Sequence, residues 1–296
     1  MTESYPNSKE FLELARFHMR AWLEAEHGAV SIDSKSVVLP PAMARAGNNF
    51  YPGVAGIAQE RFRHCFSKPS FGRSTRAGDA LCSAHAPFNL FGPLRDHMGE
   101  AGSASAVFSR ITGIKLHRVE SIDFEEPRRR RDNPLNDNTA FDVFVAASGE
   151  SGPVHIGIEV KFTEGPYSWG KTEREHMILP NGKYITRTRD SALLISSSIA
   201  RLANPHLKQM WRNLLLGEAL AQRGGHALQF RYVHLYPKGN KYQTAVTNEF
   251  AASLNQTGLQ VFRPVLYEEY FDILDDLLEE SEWRHYLRRR YLVAAV

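Results

Sequence analysis

The sequence has 296 residues, of which 43% are hydrophobic and 23% are charged, and its formal net charge is +3. This composition is typical of a globular protein with a sizeable core, and no apolar run is long enough to cross a membrane. The slight positive charge permits an anionic partner without requiring one. Two cysteines and the absence of a secretory signal favour a reducing compartment, so we expect a cytoplasmic protein.

The first half of the chain reads mainly as helix. Apolar spacing predicts an amphipathic helix over residues 8–27, capped by Ser8 and ended by Gly28. The segments that follow are predicted to be a helix near 54–66, a loop over 68–78, a mostly helical stretch over 79–101 and a strand over 114–124.

The second half contains a β-hairpin signal. Two apolar runs, 140–147 and 154–162, are joined by the turn-forming letters SGESGP, which predict a slightly long turn. Residues 165–190 are polar and rich in turn formers. The later elements are predicted to be a short helix near 191–203, a strong helix after Asn204-Pro205, a strand in HALQFRYVHLYP, and helices interrupted by the short strand LQVFRPV.

This order of helix, strand, strand, strand, helix and strand predicts an α/β (α+β) fold, with a central mixed four-stranded sheet flanked by helices. No linker or repeat divides the chain. We therefore expect one domain over residues 1–296, with a core at about 54–236 and helical additions over 1–53 and 237–296.

Charged residues interrupt the apolar hairpin. Asp142 lies in the first strand, and Glu159 and Lys161 lie in the second. Because strand side chains alternate between faces, Glu159 and Lys161 share a face, and a suitable register brings Asp142 to the same place. Gly157 beside them leaves room for a backbone or a substrate. The alternative is a strand face exposed to solvent.

A convergence of these three side chains would suit phosphodiester hydrolysis. The two carboxylates repel each other, and a divalent cation such as Mg²⁺ or Mn²⁺ relieves that repulsion through hard oxygen ligands. The lysine can position an attacking water or hydroxide.

The pattern resembles the PD-(D/E)XK nuclease superfamily, in which an acidic residue on one strand precedes (D/E)-x-K on the next. The predicted element order over residues 79–236 matches its restriction-endonuclease-like core. A narrower resemblance, to an uncharacterised bacterial family of restriction-endonuclease-like proteins, rests on ALCSAHAPFNLFGPL, FDVFV, GIEVKFTE, QMWRNLLL and VHLYPKGN. One departure is that Ala140 and Phe141 precede the first acid where the pattern has a proline.

The resemblance implies catalytic roles for Asp142, Glu159 and Lys161. It implies that Asp142, Glu159 and the backbone carbonyl of Val160 bind the metal, with Glu60 as an additional acidic ligand. The alternative for Glu60 is an ordinary surface helix residue that pairs with a neighbouring arginine.

Two further groups are candidates for contact with nucleic acid. Gln209 and Arg212 lie three residues apart on one helix face, and the resemblance implies a supporting role for both. The consecutive arginines Arg128, Arg129, Arg130 and Arg131 can neutralise phosphates without reading sequence. Either group can instead be a solvated surface.

The resulting prediction is an Mg²⁺- or Mn²⁺-dependent endonuclease that acts on DNA and can work as a homodimer. The main alternative is a catalytically silent module of the same fold that binds nucleic acid or protein. A hydrolase of small phosphate esters is a third hypothesis, and it would need a closed pocket.

Overall fold

The computed structural model describes residues 5–28, 37–65, 78–100, 102–127, 130–224 and 229–293. The α-helices in these ranges are α1 (Ser8–His27), α2 (Pro41–Ala46), α3 (Ala55–Cys65), α4 (Ala86–Phe91), α5 (Ser103–Thr112), α6 (Lys171–Ile178), α7 (Lys183–Asp190), α8 (Ile199–Leu202), α9 (Lys208–Gly224), α10 (Lys241–Ala251), α11 (Gln256–Val261), α12 (Tyr267–Leu277) and α13 (Glu282–Tyr291). The strands are β1 (Gly99–Glu100), β2 (Leu116–Glu126), β3 (Phe141–Gly149), β4 (Gly152–Val160), β5 (Gln229–Tyr236) and β6 (Phe262–Leu266).

The strands form one mixed sheet in the order β1-β2-β3-β4-β5-β6. Neighbours from β1 to β4 are antiparallel, whereas β4 pairs with β5, and β5 with β6, in parallel. The predicted order is confirmed by a helix, β2, β3, β4, α9 and β5, but the helix before β2 is α5 (Ser103–Thr112) and not the predicted stretch 79–101, which contains the short α4, 3-10 turns and β1. The sheet is wider than the four predicted strands, because the two-residue β1 and the later β6 extend its edges.

Helices cover both faces of this sheet, as the apolar runs of its central strands require. On one face, Val143, Val145 and Ile158 pack in a cluster with buried residues of α1, α5, α12 and α13. On the other face, Phe230 and Tyr232 pack with α7, α9 and α10. In the described part of the chain, no helix combines the length and the apolarity needed to cross a bilayer.

Local chemistry changed several predicted boundaries. The hairpin is tighter than predicted, since Gly149 pairs with Gly152 and only two residues form the turn. The polar segment 165–190 contains helices α6 and α7, which its turn formers concealed. The cap of α1 is Asn7, whose side chain accepts a hydrogen bond from the Lys9 N–H, rather than Ser8.

The register of the hairpin decides where the charged residues meet. Val143 lies opposite Ile158, so the same register continued by one residue brings Asp142 opposite Glu159. On the other side of β4, Glu159 is opposite His234 and Lys161 N–H donates to the Leu235 carbonyl at 2.8 Å. The three charged side chains therefore lie where β3, β4 and β5 run side by side.

Candidate active site

Asp142 is anchored by the backbone of the neighbouring strand. Its Oδ2 accepts a hydrogen bond of 2.7 Å from the Val160 N–H. Because Asp142 is the second residue of β3 and Val160 is the last of β4, the contact joins the two strands at one end of the hairpin. The carboxyl of Asp142 is thus fixed beside the Glu159-Val160-Lys161 tripeptide.

The Glu159 carboxylate is held by side chains from two elements. Oε1 accepts hydrogen bonds from Lys161 Nζ and Gln209 Nε2, and Oε2 accepts one of 2.6 Å from Asn213 Nδ2. Glu159 is only 1% exposed. A buried carboxylate requires such donors, and helix α9 supplies two of them from residues four apart, on one helix face.

Lys161 is equally enclosed, at 4% exposure. Besides Glu159, its ammonium donates to Gln209 Oε1 at 2.8 Å and to the Tyr167 hydroxyl at 3.3 Å. Burial alone would lower the pKa of Lys161, but the charge of Glu159, with smaller effects of Tyr167 and Asp142, raises that pKa well above its ordinary value. The raised pKa favours the charged, hydrogen-bond-donating form of Lys161 near neutral pH.

The site holds more negative charge than this one lysine balances. Burial, followed by the charge of Glu159, raises the pKa of Asp142 well above its ordinary value. The same two causes raise the pKa of Glu125 to about 7, against the opposing charges of Arg61 and Lys161. An excess of partly or fully buried carboxyl groups over cations favours the binding of a cation.

Glu125 is a site residue that sequence reasoning missed. It is near the end of β2 with a left-handed backbone (φ 55°), which is uncommon for a residue other than glycine. The guanidinium of Arg61, from α3, donates to the Glu125 carbonyl oxygen and is 5% exposed. The available signal was a pair of acids at the end of a strand, but the adjacent arginines made the segment look like a polar loop.

A cavity of about 360 Å³ opens beside Asp142. The polar and charged side chains that line it include residues of four elements: β2, β3, α6 and α9. The charged ones are Glu125, Asp142, Glu173, Lys208 and Arg212. Gln209 and Asn213 line the same cavity and connect it to Glu159.

The donor set suits a hard divalent cation. Among the described residues, no three His, Cys, Asp or Glu side chains form a group that can hold a metal ion by themselves. Mg²⁺, however, is usually held by one or two carboxylates, with water and substrate oxygens completing its shell. Asp142 and Glu159, with the Val160 backbone between them, fit that requirement, and a bound cation would offset the repulsion between the two carboxylates.

The structure brings together Asp142, Glu159, Lys161, Gln209 and Arg212, but it leaves other predicted residues apart. Glu60 is an exposed residue of α3 and does not line the cavity. Its neighbour Arg61 points inward instead and contacts the end of β2. A role for Glu60 in metal binding stays a prediction that its exposure does not favour.

The arginine run is only partly described, because Arg128 and Arg129 lie outside the described residues. Arg130 is exposed and its Nε donates to the Asn136 carbonyl at 2.8 Å. Arg131 is 73% exposed and lies 3.8 Å from an Asp132 carboxylate oxygen. Neither lines the cavity, so contact with a nucleic acid at these two positions remains a prediction.

The space beside Gly157, which was expected to admit a backbone or a substrate, is filled by the ring of Phe141. A Cβ atom at this position would lie 2.5 Å from the ring of Phe141. That ring packs with Phe230 and Tyr232, at centroid distances of 6.0 and 6.1 Å. Gly157 therefore admits a core aromatic ring, not a substrate.

Comparison with known proteins agrees with this geometry. Residues 6–293 match a family model described as the PD-(D/E)XK nuclease superfamily. Searches of curated proteins and of solved structures returned no significant match. The match covers nearly the whole chain. The chain therefore belongs to the PD-(D/E)XK nuclease superfamily.

Proposed function

We propose that this chain is a divalent-metal-dependent endonuclease that hydrolyses phosphodiester bonds in DNA. The observation that carries the proposal is the convergence of Asp142, Glu159 and Lys161 beside a cavity that also contains basic side chains. Carboxylates, a fixed ammonium group and cations are the parts that phosphodiester hydrolysis needs at one place.

Asp142, Glu159 and the Val160 carbonyl would hold Mg²⁺ or Mn²⁺. When bound, the metal supplies stabilisation of negative charge on the phosphate and a water molecule of lowered pKa. The chain contributes the pre-oriented carboxylates. Because Gln209 and Asn213 already hold Glu159, little reorganisation of that side chain is needed.

Lys161 acts as a donor in this proposal. Its raised pKa keeps the ammonium protonated, so it orients a water molecule or a phosphate oxygen and does not remove a proton. Tyr167 and Gln209 limit its position through their hydrogen bonds. A lysine held in this way stabilises developing negative charge without moving at the moment of reaction.

We further propose that Arg212 contacts the DNA backbone, because its guanidinium lines the cavity and is only partly buried. Arg130 and Arg131 would add sequence-independent attraction from the surface. A homodimer is the arrangement expected for cutting both strands, since each site cleaves one, and the cytoplasm is the compartment expected for such an enzyme.

Incubation of the purified protein with plasmid, linear duplex, single-stranded DNA and RNA tests the proposal. Each substrate is incubated with Mg²⁺, with Mn²⁺ and with EDTA. We expect metal-dependent cleavage of DNA that disappears in Asp142→Ala, Glu159→Ala and Lys161→Ala. The matched control is Glu150→Ala, which removes an exposed acid from the turn of the same hairpin.

Circular dichroism and thermal unfolding establish that each variant is folded. Intact nucleic acid in every metal condition would refute the enzymatic proposal. Salt-sensitive DNA binding without cleavage would instead favour the silent binding module.

A further inference from the structure

Two positively charged side chains line the cavity beside Asp142 and are not among the three catalytic candidates. Lys208 and Arg212 lie on α9, on either side of Gln209, and both line the cavity. Lys208 is 12% exposed and Arg212 is 23% exposed, so both are partly withdrawn from water. Cations in such a position interact more strongly with an anion than surface residues do.

Both cations are paired with a single carboxylate from another element. Glu173 Oε2 accepts a hydrogen bond of 2.6 Å from Lys208 Nζ, and its Oε1 accepts one of 2.9 Å from Arg212 Nη1. Burial would raise the pKa of Glu173, but the hydrogen bonds from Lys208 and the Gly170 N–H, with the charges of Lys208 and Arg212, lower it. Glu173 is thus an anion held in place.

The other contacts of the two cations fix their direction. Lys208 Nζ also donates to the Ser168 carbonyl at 2.8 Å, and it lies over the Trp169 ring at 5.5 Å. Arg212 Nε donates to Thr139 Oγ1 at 2.8 Å. Both positive groups therefore have anchors that do not depend on Glu173.

A phosphodiester group has the charge and shape needed to replace this carboxylate. A phosphodiester and a carboxylate each carry one negative charge shared between two terminal oxygens, and either group can bridge a lysine and an arginine. Gln209, which lies between the two cations in sequence, reaches Glu159. The cations therefore lie next to the candidate catalytic group along the same helix.

We propose that Lys208 and Arg212 form a subsite for a DNA backbone phosphate adjacent to the scissile one, and that Glu173 occupies this subsite in the free protein. This inference rests on the proposed function, because it takes DNA as the substrate. Substrate binding exchanges the Glu173 carboxylate for a phosphate. Glu173 thereby weakens DNA binding and also keeps other anions out of the subsite.

The test measures binding, which does not depend on cleavage. A fluorescein-labelled DNA duplex is titrated with the Asp142→Asn chain in EDTA, and anisotropy is followed at several salt concentrations. We expect Glu173→Gln to increase affinity roughly tenfold, because the two cations lose their internal anion. We also expect the slope of log affinity against log salt to steepen by about 0.9 for each additional phosphate that the protein neutralises.

Glu175→Gln is the matched control. It removes the same charge from an exposed position of the same helix, so any general effect of net charge appears in both variants. Glutamine at position 173 keeps an oxygen that can accept the Gly170 N–H, so α6 retains that contact at its start. Thermal unfolding of both variants checks that the fold is unchanged.

A double-mutant cycle locates the effect. In a Lys208→Gln, Arg212→Gln background, the increase in affinity from Glu173→Gln should vanish. Equal affinities of Glu173→Gln and Glu175→Gln, an increase that persists without the two cations, or no detectable binding by Glu173→Gln would each overturn the subsite. Cleavage by the wild type with no difference between the two variants would remove the subsite and leave the nuclease. Tighter binding by Glu173→Gln than by Glu175→Gln, without cleavage by the wild type, would retain a phosphate-binding site at Lys208 and Arg212 and remove the nuclease.

Discussion

Two buried cations in this protein have very different surroundings. Lys161 lies among carboxylates, next to a cavity, and its positive charge is smaller than the negative charge around it. Arg290, on α13, is 0% exposed and forms no salt bridge among the described residues. The two show that burial of a charge does not by itself identify a functional site.

Arg290 is surrounded by neutral groups. Nη1 donates to the Asn49 carbonyl at 2.8 Å and to the Tyr286 hydroxyl at 2.6 Å, and Nη2 donates to Asn49 Oδ1. Its guanidinium lies 4.6 Å from the centre of the Trp22 ring. These contacts join α1, the segment after α2 and α13, so the residue is a structural clamp.

The difference lies in the balance of charge. Around Lys161, the carboxyl groups of Glu125, Asp142 and Glu159 repel one another when ionised, so their ionisation destabilises the folded state, as is common where a site must bind a cation. Around Arg290, carbonyl, hydroxyl and amide oxygens bind Nη1 and Nη2 and aromatic rings face the guanidinium, while Nε has no hydrogen-bond partner among the described residues. These contacts offset the charge and stabilise the fold. We therefore expect substitutions at the first site to remove activity and retain or increase stability, and substitutions at the second to do the reverse.

The largest expected effect is that of Asp142→Asn. Loss of one charge should reduce DNA cleavage by roughly a thousandfold, by analogy with removal of a single electrostatic group from an active site. The amide oxygen can still accept the Val160 N–H, and the repulsion with Glu159 disappears. Thermal unfolding at pH 8 should therefore show a higher midpoint than the wild type, and a variant that is both inactive and less stable would contradict the comparison.

Arg290→Met should lower the free energy of unfolding by about 3 kcal/mol, because a buried hydrogen-bond network and ring contacts are lost together. Urea titration measures the effect. The control is Arg289→Met, which changes an exposed neighbour that pairs with Glu26 and should have little effect. Wild-type kcat for the folded fraction of Arg290→Met is expected, and a specific loss of kcat would place Arg290 in the catalytic machinery.

Glu125→Gln sharpens the comparison through pH. The folded-state pKa of Glu125 is about 7 and its ordinary value is 4.5, so the folded chain holds a proton that the unfolded chain has released. Wild-type stability should fall, relative to Glu125→Gln, as pH rises from about 4.5 through about 7. Between about pH 4 and about pH 8 we expect the stability difference to shift by about 3 kcal/mol in favour of the variant.

Urea titrations of both chains from about pH 4 to about pH 8 measure this difference. A difference in the free energy of unfolding that stays constant across this pH range would mean that the pKa of Glu125 is not raised in the folded state. A variant that becomes less stable at high pH would indicate that the carboxylate has a stabilising partner.

The smallest expected effect is stabilisation by metal. At a Mn²⁺ concentration about ten times the dissociation constant, the free energy of unfolding should rise by about 1.4 kcal/mol, and EDTA should reverse the change. Asp142→Asn should show no increment, whereas Arg290→Met should show the same increment from a lower starting point. An increment retained in Asp142→Asn would place the metal elsewhere.

Much of the fold was predictable because its signals are local. The apolar runs around Asp142 and Glu159 predicted the hairpin. Asn204-Pro205 predicted a helix that corresponds to α9, which begins slightly later, at Lys208. Helices α6 and α7 were missed because their polar faces resemble a loop. Tyr184 and Ile185 are buried in α7, but their burial comes from packing against residues of α9, which local sequence does not reveal.

The candidate site divides in the same way. The sequence by itself determined that Glu159 and Lys161 share a strand face, because a strand has a period of two residues. Only the tertiary structure decided that Gln209 and Asn213 hold Glu159, that Glu125 adds a third, partly buried acid, and that Glu173 bridges Lys208 and Arg212. Those contacts join residues that lie tens of positions apart in the chain, and their charges interact strongly only because packing has removed the water between them.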